Sequence, residues 1–367
     1  MPRLRQRVLR KLVLTKISVA VLALSSAAAL CATARAADVV TLGTATPPSL
    51  SDGPVYAMGE ALGFFKAEHI DLKITVFQGA GVIIPQVATK QIMIGYPLPD
   101  PVLASYANHQ PVPVTFFYNN IPRNTMEIGV LANSSVKTLA DLKGKAVGVG
   151  ALTWGTIPGM KALLHEVGLE PGKDVQIAPV GVLGPGFHAL KTGQVAALNY
   201  NSTWLDMLQQ SGTPVRRLTL TPTFEHMVGN AYMANSQALK DNPGVYARFG
   251  RAIAKSTLAC DANIEACVKA FWKQHPEAEP KTGSTAENLK NAVWILGRRM
   301  RLIVPREDSA GRFDTAAITK YVKALRAAGV IQSATVPVDS LFSNQLVAQF
   351  NQFDREKVRK MAERYGK

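Results

Sequence analysis

Residues able to hold a ligand fall in five short clusters of the 367-residue chain, at 49–52, 79–81, 96–100, 152–156 and 199–204. Each cluster follows a predicted strand and precedes a predicted helix. In an open α/β sheet such junctions converge at the carboxyl ends of the strands, where helix N-termini offer unpaired N–H groups and a partial positive charge. That chemistry suits capture of a small polar or planar solute. Motifs for bond-making are scarce. The six histidines are never closer than 23 residues, so no HxH or HExxH metal pattern exists. There is no GxSxG elbow and no GxxxxGK[ST] loop, and Gly148-Val149-Gly150 lacks the third glycine and later acid of a dinucleotide fingerprint.

The elements that must position these clusters are read from periodicity. Short apolar runs at 39–44, 72–77, 92–96 and 112–118 predict strands, with a helix over 55–65 marked by Val55, Met58, Leu62 and Phe65. A second series at 128–131, 146–149, 175–180, 196–200 and 215–220 alternates with helices near 156–167, 186–193 and 202–211. Alternation of this kind predicts two α/β units. From residue 235 the pattern is helix after helix, with Asn242, Asn263, Ser284 or Thr285, and Asp314 as caps and Gly329 closing the fourth. The basic tail 355–367 alternates in sign, which predicts a solvated helix.

The formal charge of +15 is concentrated at the start of the chain. Residues 1–36 hold seven basic residues and no acid, leaving 34 of the 41 basic residues against 26 acids, formally +8. Nucleic acid is therefore not an expected partner. A basic start, an apolar stretch over 17–30 and Ala34-Arg35-Ala36 form the pattern of a cleaved export signal covering residues 1–36. Leu30, before Cys31, is large where a lipoprotein signal carries a small residue. Export would place the mature chain in an oxidising compartment, with Cys260 and Cys267 its two cysteines. In one continuous helix they would lie about 10 Å apart, beyond the roughly 7 Å reach of a disulfide. A bridge therefore requires a helix break, which Asp261-Ala262-Asn263 supplies.

The runs GEALGFFKAEHIDLKITVFQGAG, VKTLADLKGKAVGVGALTWGT, LHEVGLEPGKDVQIAPVG and ALKTGQVAALNYNSTWLDML, in unbroken order within residues 41–280, resemble the periplasmic solute-binding components of ABC importers. The resemblance is to the nitrate/sulfonate/taurine group, related to thiamine-pyrimidine precursor binding proteins (SsuA/THI5-like). It implies an α/β two-lobe type II periplasmic binding protein fold with a helical C-terminal region. Lobe 1 would comprise 37–127 plus 231–367, lobe 2 the inserted segment 128–230, with crossings near 127–131 and 229–234. The implied role is periplasmic delivery of a small-molecule solute to an inner-membrane ABC permease by a non-enzymatic monomer that uses neither cofactor nor metal.

Carried over residue by residue, the resemblance places ligand contacts at Ser51, Tyr96 and Tyr118 in lobe 1. In lobe 2 it places them at Thr153, Trp154, Gly155, Thr156, Asn199, Tyr200, Asn201 and Trp204, with Ser202 beside them. Arg123 is the only basic residue near these segments, whereas Asp52, Asp100 and Glu225 are acidic. An inorganic anion is thus not expected; a small organic solute with a planar or aromatic part (sulfonate-like, aromatic or pyrimidine-like) suits the Trp and Tyr content. Two alternatives stay open: a pyrimidine-precursor synthase-like enzyme on this fold, and a solute-sensing module for a receptor.

Overall fold

The chain forms its strands in three passes: β1 Asp38–Thr44, β2 Ile70–Val76, β3 Ile94–Tyr96 and β4 Val114–Asn119; then β5 Met126–Leu131, β6 Lys145–Val149, β7 Val175–Pro179, β8 Ala197–Asn201 and β9 Val215–Arg217; and last β10 Ala231–Asn235. The computed structural model describes residues 36–366 apart from 108, 226, 306–307 and 332–335. The proposed export signal, with Cys31, thus lies outside the described residues but for Ala36. Asp38–Lys367 is one compact unit, and the description that follows concerns it alone.

The first sheet has the order β2-β1-β3-β10-β4 and the second β7-β6-β8-β5-β9. In both, the first three strands are parallel and the fourth runs antiparallel to its neighbours. The strand β10 returns to the first sheet only after the second is complete. Parallel neighbours need crossover connections, and helices supply them: α1 Gly53–Ala61, α2 Ala80–Ala88 and α3 Asp100–Ala107 follow strands of the first sheet, and α4 Ile157–Glu166, α5 Gly184–Lys191 and α6 Ser202–Gln210 follow strands of the second. Helices on both faces explain why the inner strands are buried: all five residues of β10 and four of the five in β8 are, whereas four of the seven in the edge strand β2 are exposed.

The helical region contains α7 Pro243–Ala262, α8 Ile264–Gln274, α9 Thr285–Ile303, α10 Thr315–Ala327 and α11 Arg355–Arg364. α7, α8, α9 and α11 pack with the first sheet, where Phe249, Ile253 and Phe271 join Val40, Leu42 and Ile94 in one core, while Ile318, Tyr321 and Leu325 of α10 join the other core with Leu163 and Phe224. Asn263 stands between α7 and α8, its side chain accepting from Ala266 N at 3.0 Å. This break brings the Cα atoms of Cys260 and Cys267 to 5.2 Å, and a disulfide joins them.

Three local readings are corrected. The helix expected over 55–65 stops at Ala61, because Gly63 takes a left-handed φ of 71° and a separate turn, Phe64–Ala67, follows. The strand expected over 215–220 ends at Arg217, whose side chain turns to Glu127 and Asp206. Asn242 precedes α7 but makes no side-chain cap bond.

Candidate functional site

Five strand-helix junctions, three from the first sheet and two from the second, face one another, the one after β2 presenting Ala80. After β1 the chain presents Ser49 and Asp52, and after β3 it presents Tyr96 and Leu98; after β6 it presents Trp154, Gly155 and Thr156, and after β8 Asn201 and Trp204. Together they line a cavity of about 380 Å³, with Tyr56, Met126, Gln274, His275 and Arg299 also in its wall.

Local sequence sets each position. The Asn201 side chain caps α6, accepting from Trp204 N at 3.0 Å, which fixes where the helix starts and hence where the indole points. The Trp204 Nε1–H reaches the opposite wall and donates to Ser49 Oγ at 3.1 Å. Space for Trp154 comes from Gly150, where an added Cβ would lie 1.9 Å from the indole. Gly148 is equally occupied, since a Cβ there would meet Leu198 and Val180 at 2.8 Å. These glycines serve packing. Trp154, Tyr200 and Trp204 form an aromatic cluster with centroids 5.2 to 5.7 Å apart.

The walls also touch directly. Ser51 Oγ donates to Asn201 Oδ1 at 3.3 Å, Gly81 N donates to Thr153 O at 3.0 Å, and the Thr153 hydroxyl donates to the Gln78 carbonyl. Gly155 lies so close to the junctions of the first sheet that a Cβ on it would be 2.8 Å from Leu98 Cβ and 3.4 Å from Ala80 Cβ.

A polar network borders the cavity. Asp52 Oδ1 accepts from Tyr96 Oη at 3.1 Å and from Arg299 Nη2 at 3.1 Å, while Arg299 Nε donates to the Ser51 carbonyl at 2.9 Å. Asn120 Nδ2 donates to Tyr96 Oη at 2.6 Å, and the Tyr56 and Tyr232 hydroxyls are 2.8 Å apart. Burial, then the charge of Asp52, pushes the Tyr96 and Tyr56 phenols well above the usual tyrosine range. They are neutral hydroxyls at physiological pH. Among the described residues no group of three His, Cys, Asp or Glu is placed to hold a metal ion.

Of the residues expected at the site, Tyr96, Trp154, Gly155, Thr156, Asn201 and Trp204 line the cavity, and the other five do not. Tyr118 is 3% exposed and packs against Tyr232 and Phe350, because its side of β4 faces the aromatic core. Tyr200 stands behind Trp154 and donates its hydroxyl to the Gly181 carbonyl, in space left by Gly186. Asn199 accepts from the Thr156 hydroxyl at 2.7 Å and donates to the Glu127 carbonyl at 3.2 Å, so it supports Thr156 from below. Ser51 and Thr153 are engaged in the wall-to-wall bonds. Arg299 is the residue the junction argument missed. With Lys73, which also borders the cavity as the acid Glu60 does, it corrects the count that left Arg123 as the only nearby base: Arg123 does not border the cavity, and neither Asp100 nor Glu225 does.

A family model described as NMT1/THI5 like matches residues 53–265. No curated protein matches the chain in sequence. Among solved structures, a protein of Bordetella bronchiseptica RB50 superposes with a TM-score of 0.67 at 20% identity, covering 86% of this chain and 97% of that one. The alkanesulfonate-binding protein SsuA from Xanthomonas axonopodis pv. citri, bound to MOPS, gives 0.61 at 14% identity over 84% and 98%. The desulfurization enzyme DSZB, as a variant in complex with biphenyl-2-sulfinic acid, gives 0.55 at 17% identity over 85% and 98%. The shared feature is the periplasmic binding protein fold.

Proposed function

The chain belongs to the NMT1/THI5-like family, and from that premise we propose that it captures a small organic solute in the periplasm and delivers it to an inner-membrane ABC permease. The observation that carries this reading is the cavity between the strand-helix junctions of both sheets, with Trp154 and Trp204 in its wall. A ligand there touches both sheets at once. Only a ligand with contacts on both sides can shift the equilibrium between an open and a closed arrangement.

In this reading residues 1–36 direct export and are removed, 37–127 with 231–367 form one lobe, and 128–230 form the other. The indoles cover the planar part of the solute, while Thr156, Asn201 and backbone N–H groups orient its polar part. The mature protein acts as a monomer and takes no cofactor. A thermal-shift screen of the mature protein against sulfonates, aromatic carboxylates, pyrimidines and nitrate tests the reading. A solute at a hundredfold its dissociation constant adds about 2.7 kcal/mol of stability. The reading fails if no compound raises the melting temperature. DSZB, an enzyme, has a similar fold, so the bound compound is then recovered and weighed. An unchanged mass supports capture, and a changed one supports catalysis.

A further inference from the structure

One ionisable side chain outside the cavity wall is sealed between the two proposed lobes. Asp100, the first residue of α3, is fully buried. Tyr321 of α10 donates its hydroxyl to Asp100 Oδ1, while Oδ2 is buried without a hydrogen-bond partner. The other lobe presses on this pair: a Cβ on Gly159, in the first turn of α4, would lie 3.0 Å from Tyr321 Oη and 3.2 Å from Asp100 Oδ1. The charged and titratable residues of the elements around it point elsewhere. Lys161, His165 and Glu166 of α4, Lys320, Lys323 and Arg326 of α10, and Glu225 ahead of Met227 are exposed, and α2 carries no titratable residue. Glu166 contributes repulsion, felt at Tyr321. Burial therefore pushes the Asp100 carboxyl up to about 7, against the hydrogen bond from Tyr321.

Chain connectivity ties this pair to the cavity. Asp100 follows Leu98 by two residues and Gly159 follows Gly155 by four, and Leu98 and Gly155 are cavity residues in contact across opposite walls. A solute that draws those walls together also draws Gly159 over Asp100. We propose that Asp100 is a proton-operated latch on this closure: the lobes shut over solute when the carboxyl is neutral and part when it is ionised, so capture tightens as the medium turns acidic. The proposal rests on the solute-capture reading and adds a control to it. An ionised carboxylate with an unpartnered oxygen in a dry interface costs far more than a neutral one, and parting of the lobes lets water reach it. The closed arrangement thus holds the proton more tightly than the open one. Its advantage is complete below about pH 4 and is lost as pH rises to about 7. Closure takes this proton from the medium.

The test is calorimetric titration of the mature protein, from about pH 5.5 to about pH 8, with benzenesulfonate, benzoate, uracil and nitrate, whose charges hold steady over that range. A probe that binds should do so at least fivefold more tightly at the acid end and take up roughly half a proton or more near pH 6, read from titrations in two buffers of different ionisation enthalpy. Asp100→Asn, which keeps a neutral group of the same shape, should lose both effects. A dependence owed to another group, His275 of the cavity wall included, would persist in that variant. Tyr321→Phe removes the hydrogen bond that favours ionisation and should move the fall in affinity to higher pH; it decides if Asp100→Asn does not fold. An affinity that ignores pH overturns the latch, as does a profile unchanged in the deciding variant, and in both cases solute capture stands. If no probe binds, the capture reading falls, and small-angle X-ray scattering of the solute-free protein decides the latch alone. A smaller radius of gyration at the acid end that Asp100→Asn does not show supports it, and a radius indifferent to pH overturns it.

Discussion

A single methyl group placed at Gly155 separates closure of the cleft from stability of the parts. The Cβ of Gly155→Ala would lie 2.8 Å from Leu98 Cβ and 3.4 Å from Ala80 Cβ, atoms of the opposite wall. Its nearest contacts are therefore atoms of the opposite wall, which the proposed open arrangement would carry away from Gly155. Carbon atoms pack at about 3.5 to 4.0 Å, so the wall must retreat by roughly 1 Å. Overpacking of this kind costs about 1–3 kcal/mol. If the cost falls only on the closed arrangement, solute affinity drops by about 5- to 150-fold, while the melting temperature of the solute-free protein changes little. Calorimetry for the dissociation constant and differential scanning for both melting temperatures read this out. An unchanged affinity would refute the reasoning. So would a solute-free melting temperature lowered by as much as the affinity loss requires, because the clash would then be with the protein's resting structure.

Three further outcomes follow from buried groups. Unfolded but unreduced mature protein should show no free thiol at Cys260 and Cys267, and reduction should cost roughly 2.5 kcal/mol, the chain-entropy value for an eight-residue loop, without changing solute affinity. Burial pushes the Asp100 carboxyl up to about 7 against the hydrogen bond from Tyr321. The folded protein thus holds this proton more tightly than the unfolded chain, and the stability it contributes is complete below about pH 4 and lost as pH rises to about 7; denaturation of Asp100→Asn beside the wild type should show the variant gaining relative stability across that window, and a constant difference would count against it. Burial raises the Glu68 carboxyl, but hydrogen bonds from Arg251 and Lys255 outweigh it and hold the group below the usual range. Glu68→Gln strands both cations and should cost about 3 kcal/mol at pH 7, a deficit that closes only as pH falls below about 4, since a lowered folded value gives stability that acid removes; equal stability at pH 7 would contradict the pairing.

The two sheets were legible because a strand covered on both faces must be an apolar run, and such runs interrupted by amphipathic segments leave little choice but crossover helices. The junctions after β6 and β8 were legible for a related reason: Trp154, Asn201 and Trp204 are placed where a strand has just ended and a helix is about to begin. Face assignment was not. Tyr118 and Tyr200 both read as interior aromatics near a junction, and strand alternation says that such a ring is inside without saying which layer it enters; one joined the aromatic core and the other went behind Trp154. Arg299 lay beyond reach for a different reason. Its place on the apolar stripe of α9 was a visible anomaly, since a buried arginine must find acceptors. Those acceptors, Ser51 and Asp52, are 248 and 247 residues away in sequence, and only the folded chain brings them together.

The central claim is that solute binds against Trp154 and Trp204, and the remaining two tryptophans, Trp272 and Trp294, belong to α8 and α9 outside the cavity wall. Replacing both to give the Trp272→Phe, Trp294→Phe protein leaves the cavity indoles as the only tryptophan emitters. Titrating this protein with the tightest binder from the screen while following emission is the most direct measurement. The account predicts a saturable, one-site change with the dissociation constant found by calorimetry. Calorimetric binding that leaves this emission unchanged would place the solute elsewhere and contradict the account.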